Sequence, residues 1–119
     1  MSEMSMQEKE YKIAELLEVS KQYSEAEATR QYLMEFRKSK KAILMAQAER
    51  EAQQDGTAIP LAKQERYAYA HPEYIELLDG LKVAIERAVY LKHQILAINM
   101  RFEQWRSMKA TQRAEMNYR

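Results

Sequence analysis

From Tyr74 onward, apolar side chains return at alternating steps of three and four: Tyr74, Leu77, Leu81, Ala84, Ala88, Leu91, Ile95, Ile98, Phe102 and Trp105. Two apolar positions in every seven residues, held in phase from Tyr74 to Trp105, predict one long helix with a coiled-coil-like seam. A second row, Leu78, Ile85, Val89 and Leu96, widens the stripe beyond what a single neighbouring helix covers. Upstream, Ile13, Leu16, Leu17, Val19 and Tyr23, then Leu33, Phe36, Ile43 and Leu44, follow helical spacing with gaps. Gly and Pro are absent from Ser5 to Gln54, but the stripe thins across Ser24–Arg30. The pattern there predicts one long helix or two collinear ones.

The punctuation lies in the middle. Asp55-Gly56-Thr57-Ala58-Ile59-Pro60 combines a residue suited to a left-handed helix end with one that cannot continue a helix. A short segment, Leu61–Ala70, follows, and then His71-Pro72 interrupts again. Pro72 suits the first position of a new helix, and Glu73 favours the positive end of its dipole. The expected architecture is all-α and a single domain. It has a long helix or two collinear ones over 1–54, a turn region with a short helix over 55–72, and a long helix over 73–117. The chain turns back as a long antiparallel hairpin with coiled-coil-like packing. From Pro72 to about Met116 the last helix spans ~65 Å, a wide apolar face for so short a chain. Homo-oligomerisation is therefore expected to complete the fold, through Leu81, Leu91, Ile95, Ile98, Phe102 and Trp105. Gly80, inside this helix, costs about 1 kcal/mol relative to Ala and reads as a site of close helix approach or a slight bend.

Composition agrees with a thin helical bundle. Ala, Glu, Lys, Leu, Arg, Gln and Met dominate, only two Gly and two Pro occur, and mean hydropathy is −0.68 although 46% of residues are apolar. With no Cys in the chain, disulfides, thiolate metal sites and cysteine nucleophiles are excluded. The polar N-terminus carries no signal-peptide pattern, and no run approaches a membrane span. A cytoplasmic protein without membrane contact is expected.

Charge is segregated along the chain. Residues 1–29 sum to −4, 30–50 to +4, and 101–119 to +3, with Glu3 and Arg119 counted. Such segregation marks either a polyanion site or head-to-tail contact between subunits. Catalysis is not expected. His71 and His93 share no metal-ligand spacing, no Glu-x-x-His pair occurs, and neither a phosphate loop nor a nucleophile elbow is present. No metal and no cofactor are expected.

Three segments carry candidate binding chemistry. Arg37-Lys38-Ser39-Lys40-Lys41 places four bases around a helix, with Arg30 and Arg50 two turns away on either side. These bases would meet phosphates, or else form a solvated face or the partner of the acidic N-terminal stretch. Lys63, Arg66, Tyr67, Tyr69 and His71 interleave cations with rings, the mixture that binds single strands. Packing of Tyr67 and Tyr74 onto the hairpin is the competing reading. At the C-terminal end, Arg101, Arg106, Lys109 and Arg113 surround Phe102 and Trp105. The last two are on the core register; the four bases would serve phosphates from the same helix end, or else be neutralised by Glu8, Glu10, Glu15 and Glu18, which an antiparallel hairpin brings near.

The order of segments resembles a known group. The basic helix around Lys38–Lys41, the stretch Met45-Ala46-Gln47-Ala48-Glu49-Arg50, the Gly-containing turn, the Lys63–Tyr69 segment and the long helix through Tyr90-Leu91-Lys92 to Arg101-Phe102 come in sequence. They resemble the small phage recombination mediators of the UvsY type. Closer still are phage proteins ending in a pattern like Glu103-Gln104-Trp105-Arg106-Ser107, with Ala110, Arg113 and Ala114 after it. The likeness spans roughly residues 30–115. It implies a ring-like oligomer that binds single-stranded DNA and helps load a recombinase onto strands coated by single-strand-binding protein. It also implies DNA contact at Lys63 and Arg66, supported by the Lys38–Arg50 patch. His71-Pro72 before the last helix departs from the group, as does the lack of an extended acidic insertion in the hairpin turn. The expected nucleic-acid-binding set is Arg37, Lys38, Lys40, Lys41, Arg50, Lys63, Arg66, Tyr67 and Tyr69. The alternative is a helical adaptor or assembly factor that binds only proteins.

Overall fold

The computed structural model describes residues 5–118; Glu3 and Arg119, two of the charges counted above, lie outside them. Among the described residues there are three helices and no strand: α1 (Met6–Gln54), α2 (Leu61–Ala70) and α3 (Pro72–Asn117). None is long and apolar enough to cross a membrane.

Local chemistry accounts for each boundary. At the start of α1, Ser5 Oγ accepts the Glu8 N–H at 3.1 Å and the Ser5 N–H donates to Glu8 Oε2 at 3.1 Å. This reciprocal cap satisfies donors that the first turn leaves open. The helix then continues unbroken through Ser24–Arg30. It stops at Gly56, whose φ of 72° favours a residue without Cβ. The Gly56 N–H donates to Gln53 O at 3.0 Å and the Thr57 N–H to Ala52 O at 2.8 Å, the paired bonds of a Schellman ending. Pro72 holds His71 extended, at φ −68° and ψ 134°, which ends α2. His71 also caps α3, its Nδ1 accepting the Glu73 N–H at 3.1 Å.

The covered positions of α1 keep their own three-and-four spacing: Lys9, Lys12, Leu16, Val19, Tyr23, Ala26, Arg30, Leu33, Arg37, Lys40, Leu44 and Gln47 are all buried or half-buried. Several are Lys or Arg, whose aliphatic stems cover apolar neighbours while the charged ends reach water. On α3 every position of the Tyr74–Trp105 seam is buried or half-buried, whereas Leu78, Ile85, Val89 and Leu96 are exposed.

The chain divides into two compact units, to each of which α1 and α3 contribute. The first joins the chain up to Glu25 with that from Ala88 onward. Val19 is buried there with Ala88, Leu91 and Ile98. Lys9, near the start of α1, holds its ammonium 4.1 Å from the centroid of the Trp105 ring near the end of α3, as antiparallel helices require. The second unit, Ala26–Arg87, adds α2. Its core is Leu44, Ala68 and Tyr74 with Met45 packed against them. Ala26, Ala48, Leu81 and Ala84 are also buried, and the Tyr69 and Tyr74 rings meet edge to face at 5.4 Å. Small residues at Ala26, Ala48, Ala68, Ala84 and Ala88 explain how a tight core forms with few large side chains. Gly80 does not serve a close approach: a Cβ there would meet no atom within 4 Å.

Two stability predictions follow from this packing. Leu44→Ala should cost about 2–5 kcal/mol in urea denaturation, and Ile43→Ala, at an exposed neighbour, far less. Equal midpoints would contradict the assignment of Leu44 to the core. Gly80→Ala should stabilise by about 1 kcal/mol; a loss of stability would show that the open space beside it is needed.

Candidate nucleic-acid interface

The expected cluster Arg37-Lys38-Ser39-Lys40-Lys41 does not act as one patch. Successive residues on a helix are 100° apart, and the packed side of α1 passes through Arg37, Lys40 and Leu44. Lys40, on that side, and Lys41, beside it, join the helices of the second unit. Lys40 Nζ lies 3.0 Å from Glu73 Oε2 at the start of α3, and Lys41 Nζ lies 3.7 Å from Glu65 Oε1 on α2. Arg37 is half-buried. Lys38 points outward and pairs with Glu35 of its own helix at 3.3 Å. Arg50 is exposed, close to the end of α1.

On α2 the burial of Ala68 fixes the inner face. Lys63 and Arg66 lie on the side away from Ala68, and Tyr69, roughly 100° round the helix from Ala68, lies at the edge of that face with its ring against Tyr74. Lys63 and Arg66 are exposed and make no ion pair among the described residues; Tyr69 is 47% exposed. The Lys41 ammonium sits 4.8 Å from the centroid of the Tyr69 ring. Hydrogen bonding with Tyr69 raises the Lys41 pKa above the ordinary lysine value, against the opposing effect of burial, and the Glu65 charge adds to the rise. Lys41 and the partly open Tyr69 ring therefore meet at one edge of α2, while Lys63 and Arg66 are exposed on its outer face. Tyr67 is placed differently. Half-buried, it donates its hydroxyl proton to Glu51 Oε1 at 3.3 Å, and its ring packs 5.7 Å from His71. Burial and the nearby Glu51 carboxylate raise its pKa. It ties α2 to α1 through this hydrogen bond.

The six residues expected to mediate self-association are all covered to some degree by the chain itself. Leu81, Leu91 and Ile98 are buried, and Ile95, Phe102 and Trp105 are half-buried. The acidic residues Glu51, Glu65 and Glu73, which take up Tyr67, Lys41 and Lys40, were not foreseen as site residues. Only the position of Glu73 in the first turn of α3 hinted at a role. Among the described residues, no group of three His, Asp or Glu side chains comes together to hold a metal ion.

The Lys40–Glu73 pair has a pH signature. The hydrogen bond and the charge of Lys40 hold the Glu73 carboxyl below the ordinary carboxylate range, burial partly opposing this and His71 adding slightly to it. A depressed carboxyl contributes stability above its unfolded pKa, ~4.3 for Glu, and loses it as pH falls through the lower folded value. Glu73→Gln should therefore unfold at lower urea than the parent at pH 7, with the difference closing as pH falls below about 4. A difference independent of pH would show that the ion pair does not stabilise the junction of α1 and α3.

No protein family, curated protein or solved structure matches this chain.

Proposed function

We propose that the chain is a non-catalytic helical protein that binds single-stranded DNA through the outer face of α2. As the resemblance to phage recombination mediators implies, it would act by helping to load a recombinase onto strands coated by single-strand-binding protein. The observation that supports this reading is the pair Lys63 and Arg66, exposed on the outer side of a short helix, with the partly exposed Tyr69 ring and Lys41 at the edge of that face. Cations spaced along a helix follow a phosphate backbone, and a partly open ring accepts a base irrespective of its identity. Lys38 and Arg50, exposed elsewhere on α1, would add affinity at longer range.

Self-association belongs to the same reading. A second copy would meet the exposed residues Leu78 and Ile85 of the second unit, and not the covered seam beside them. The same exposed residues favour the alternative, a protein-binding adaptor, as does the engagement of Lys40 and Lys41 by carboxylates.

Titration of a labelled poly-dT oligonucleotide at several salt concentrations separates the two. The parent should bind tightly at low salt and weaken steeply as salt rises. Lys63→Ala with Arg66→Ala should reduce the slope of log K against log salt by roughly 1.4, at about 0.7 per lost phosphate contact on a single strand. Helicity should not change. An unchanged affinity and slope would refute the α2 site, and no binding at low salt would favour the adaptor. In parallel, sedimentation at micromolar concentration should show more than one copy, and Leu78→Glu with Ile85→Glu should lower the mass. A monomeric parent would remove self-association from the proposal.

A further inference from the structure

We infer that α1 carries a second seam, open in the single chain, through which two copies pair antiparallel about a two-fold axis between Arg37 and Lys38. Its positions are Tyr32, Phe36, Ser39, Ile43 and Ala46, separated by steps of four, three, four and three, the spacing of a coiled-coil seam. At 100° per residue the five lie within an arc of about 80°, and all belong to the second unit. The seam that packs within the chain, through Leu33, Lys40 and Leu44, is about a quarter-turn away round the helix. Tyr32 is 65% exposed and Ile43 52%, and Ser39 and Ala46 are exposed too. Phe36 is half-buried, its ring stacked on that of Tyr32 with centroids 5.9 Å apart and planes 7° from parallel.

The order of large and small residues selects a second copy as the occupant. In a two-fold contact each residue meets a partner that meets it in return. An antiparallel pair centred between Arg37 and Lys38 sets Tyr32 against Ile43 of the second copy and Phe36 against Ser39, and each contact occurs twice. The two large exposed side chains then cover each other, and the bulky Phe36 faces the smallest polar residue of the seam, so the layers interdigitate. A parallel pair would instead set Phe36 on Phe36 and Ser39 on Ser39, crowding one layer and leaving a gap in the other.

Charge agrees with this occupant. Glu35, on one flank of the seam, pairs with Lys38 of its own helix at 3.3 Å, and in the antiparallel register it stands beside Ala42 of the second copy. Lys40, on the other flank, is held by Glu73 at 3.0 Å. Flanks whose charges have partners within the chain suit an apolar, self-matching surface better than a polyanion. The contact deepens the self-association reading above and rests on the chain associating at all. It is separate from the contact at Leu78 and Ile85 and does not require single-strand binding on α2. A chain with two different self-contacts takes two neighbours, and its assembly grows beyond a dimer.

The chain has no cysteine, so introduced thiols report the register. Two full-length variants, Tyr32→Cys and Ile43→Cys, are mixed and mildly oxidised. In the antiparallel pair their thiols lie opposite each other, whereas two copies of one variant hold theirs about 16 Å apart along the helix axis, beyond the reach of a disulfide. The mixture should give a disulfide-linked dimer in roughly tenfold the yield of either variant alone, and equally so with Leu78→Glu and Ile85→Glu added to both. Helicity, checked by circular dichroism, should not change, because both substituted residues are exposed. As a second readout that keeps the large side chains, Ser39→Glu should lower the mass seen in sedimentation. Equal yields from the mixture and the single variants, a link lost when Leu78 and Ile85 are replaced, or an unchanged mass for Ser39→Glu would overturn this seam. So would the absence of any link while the parent sediments as more than one copy, a result that leaves the Leu78 and Ile85 contact standing. A monomeric parent would overturn both contacts together.

Discussion

A lysine or arginine can occupy a packed seam when its hydrocarbon stem lies along an apolar neighbour and its charged end still reaches water or a carboxylate. α1 relies on this at Lys9, Lys12, Arg30, Arg37 and Lys40, which alternate with Val19, Ala26, Leu33 and Leu44 along its covered side. The facing seam of α3 is apolar almost throughout. The buried positions of α1 are Val19, Ala26, Leu44 and Ala48, and Lys9, Lys12, Arg30, Arg37 and Lys40 are half-buried. Carboxylates then settle several charged ends: Glu15 for Lys12, Glu27 for Arg30 and Glu73 for Lys40.

The same constraint divides the basic residues by task. A cation in the seam, or beside it with a carboxylate facing it from another helix, contributes to holding helices together and has less capacity to hold a phosphate. Lys40 and Lys41 are in that position. Lys63 and Arg66 are not, because α2 is short, buries chiefly Ala68, and leaves its outer face to solvent. In the second unit Lys40 and Lys41 of the α1 run are held by carboxylates of other helices, whereas Lys38 and Arg50 on α1 and Lys63 and Arg66 on α2 are exposed.

Legibility in the sequence tracks how each element is stabilised. The α3 seam was readable because apolar residues mark every step of it. The helix ends at Gly56 and Pro72 were readable because backbone conformation dictates residue type there. The α1 seam was obscured by Lys and Arg at its covered positions. Its apparent weakening across Ser24–Arg30 reflects Ala26 and Arg30 standing where larger apolar residues were sought, and the helix does not break. Ile43, part of the expected stripe, is exposed, and Ala48, outside it, is buried. The candidate site was legible only as a list of residue types. Whether Lys41 binds a ligand or Glu65, and whether Tyr67 stacks or donates to Glu51, depends on pairs brought together by the turn of the chain, which local spacing does not encode. The expectation that Leu81, Leu91 and Ile98 face a second copy rested on the length of the apolar face, and these three side chains are already buried within the single chain.

Lysine acylation followed by mass spectrometry, with and without a poly-dT oligonucleotide, separates seam lysines from ligand-binding ones in a single experiment. Lys63 should react quickly in the free protein and become protected when the oligonucleotide is bound, while Lys40 and Lys9 should react slowly in both conditions. Protection of Lys40 with no change at Lys63 would contradict this division of the basic residues and, with it, the placement of the single strand on α2.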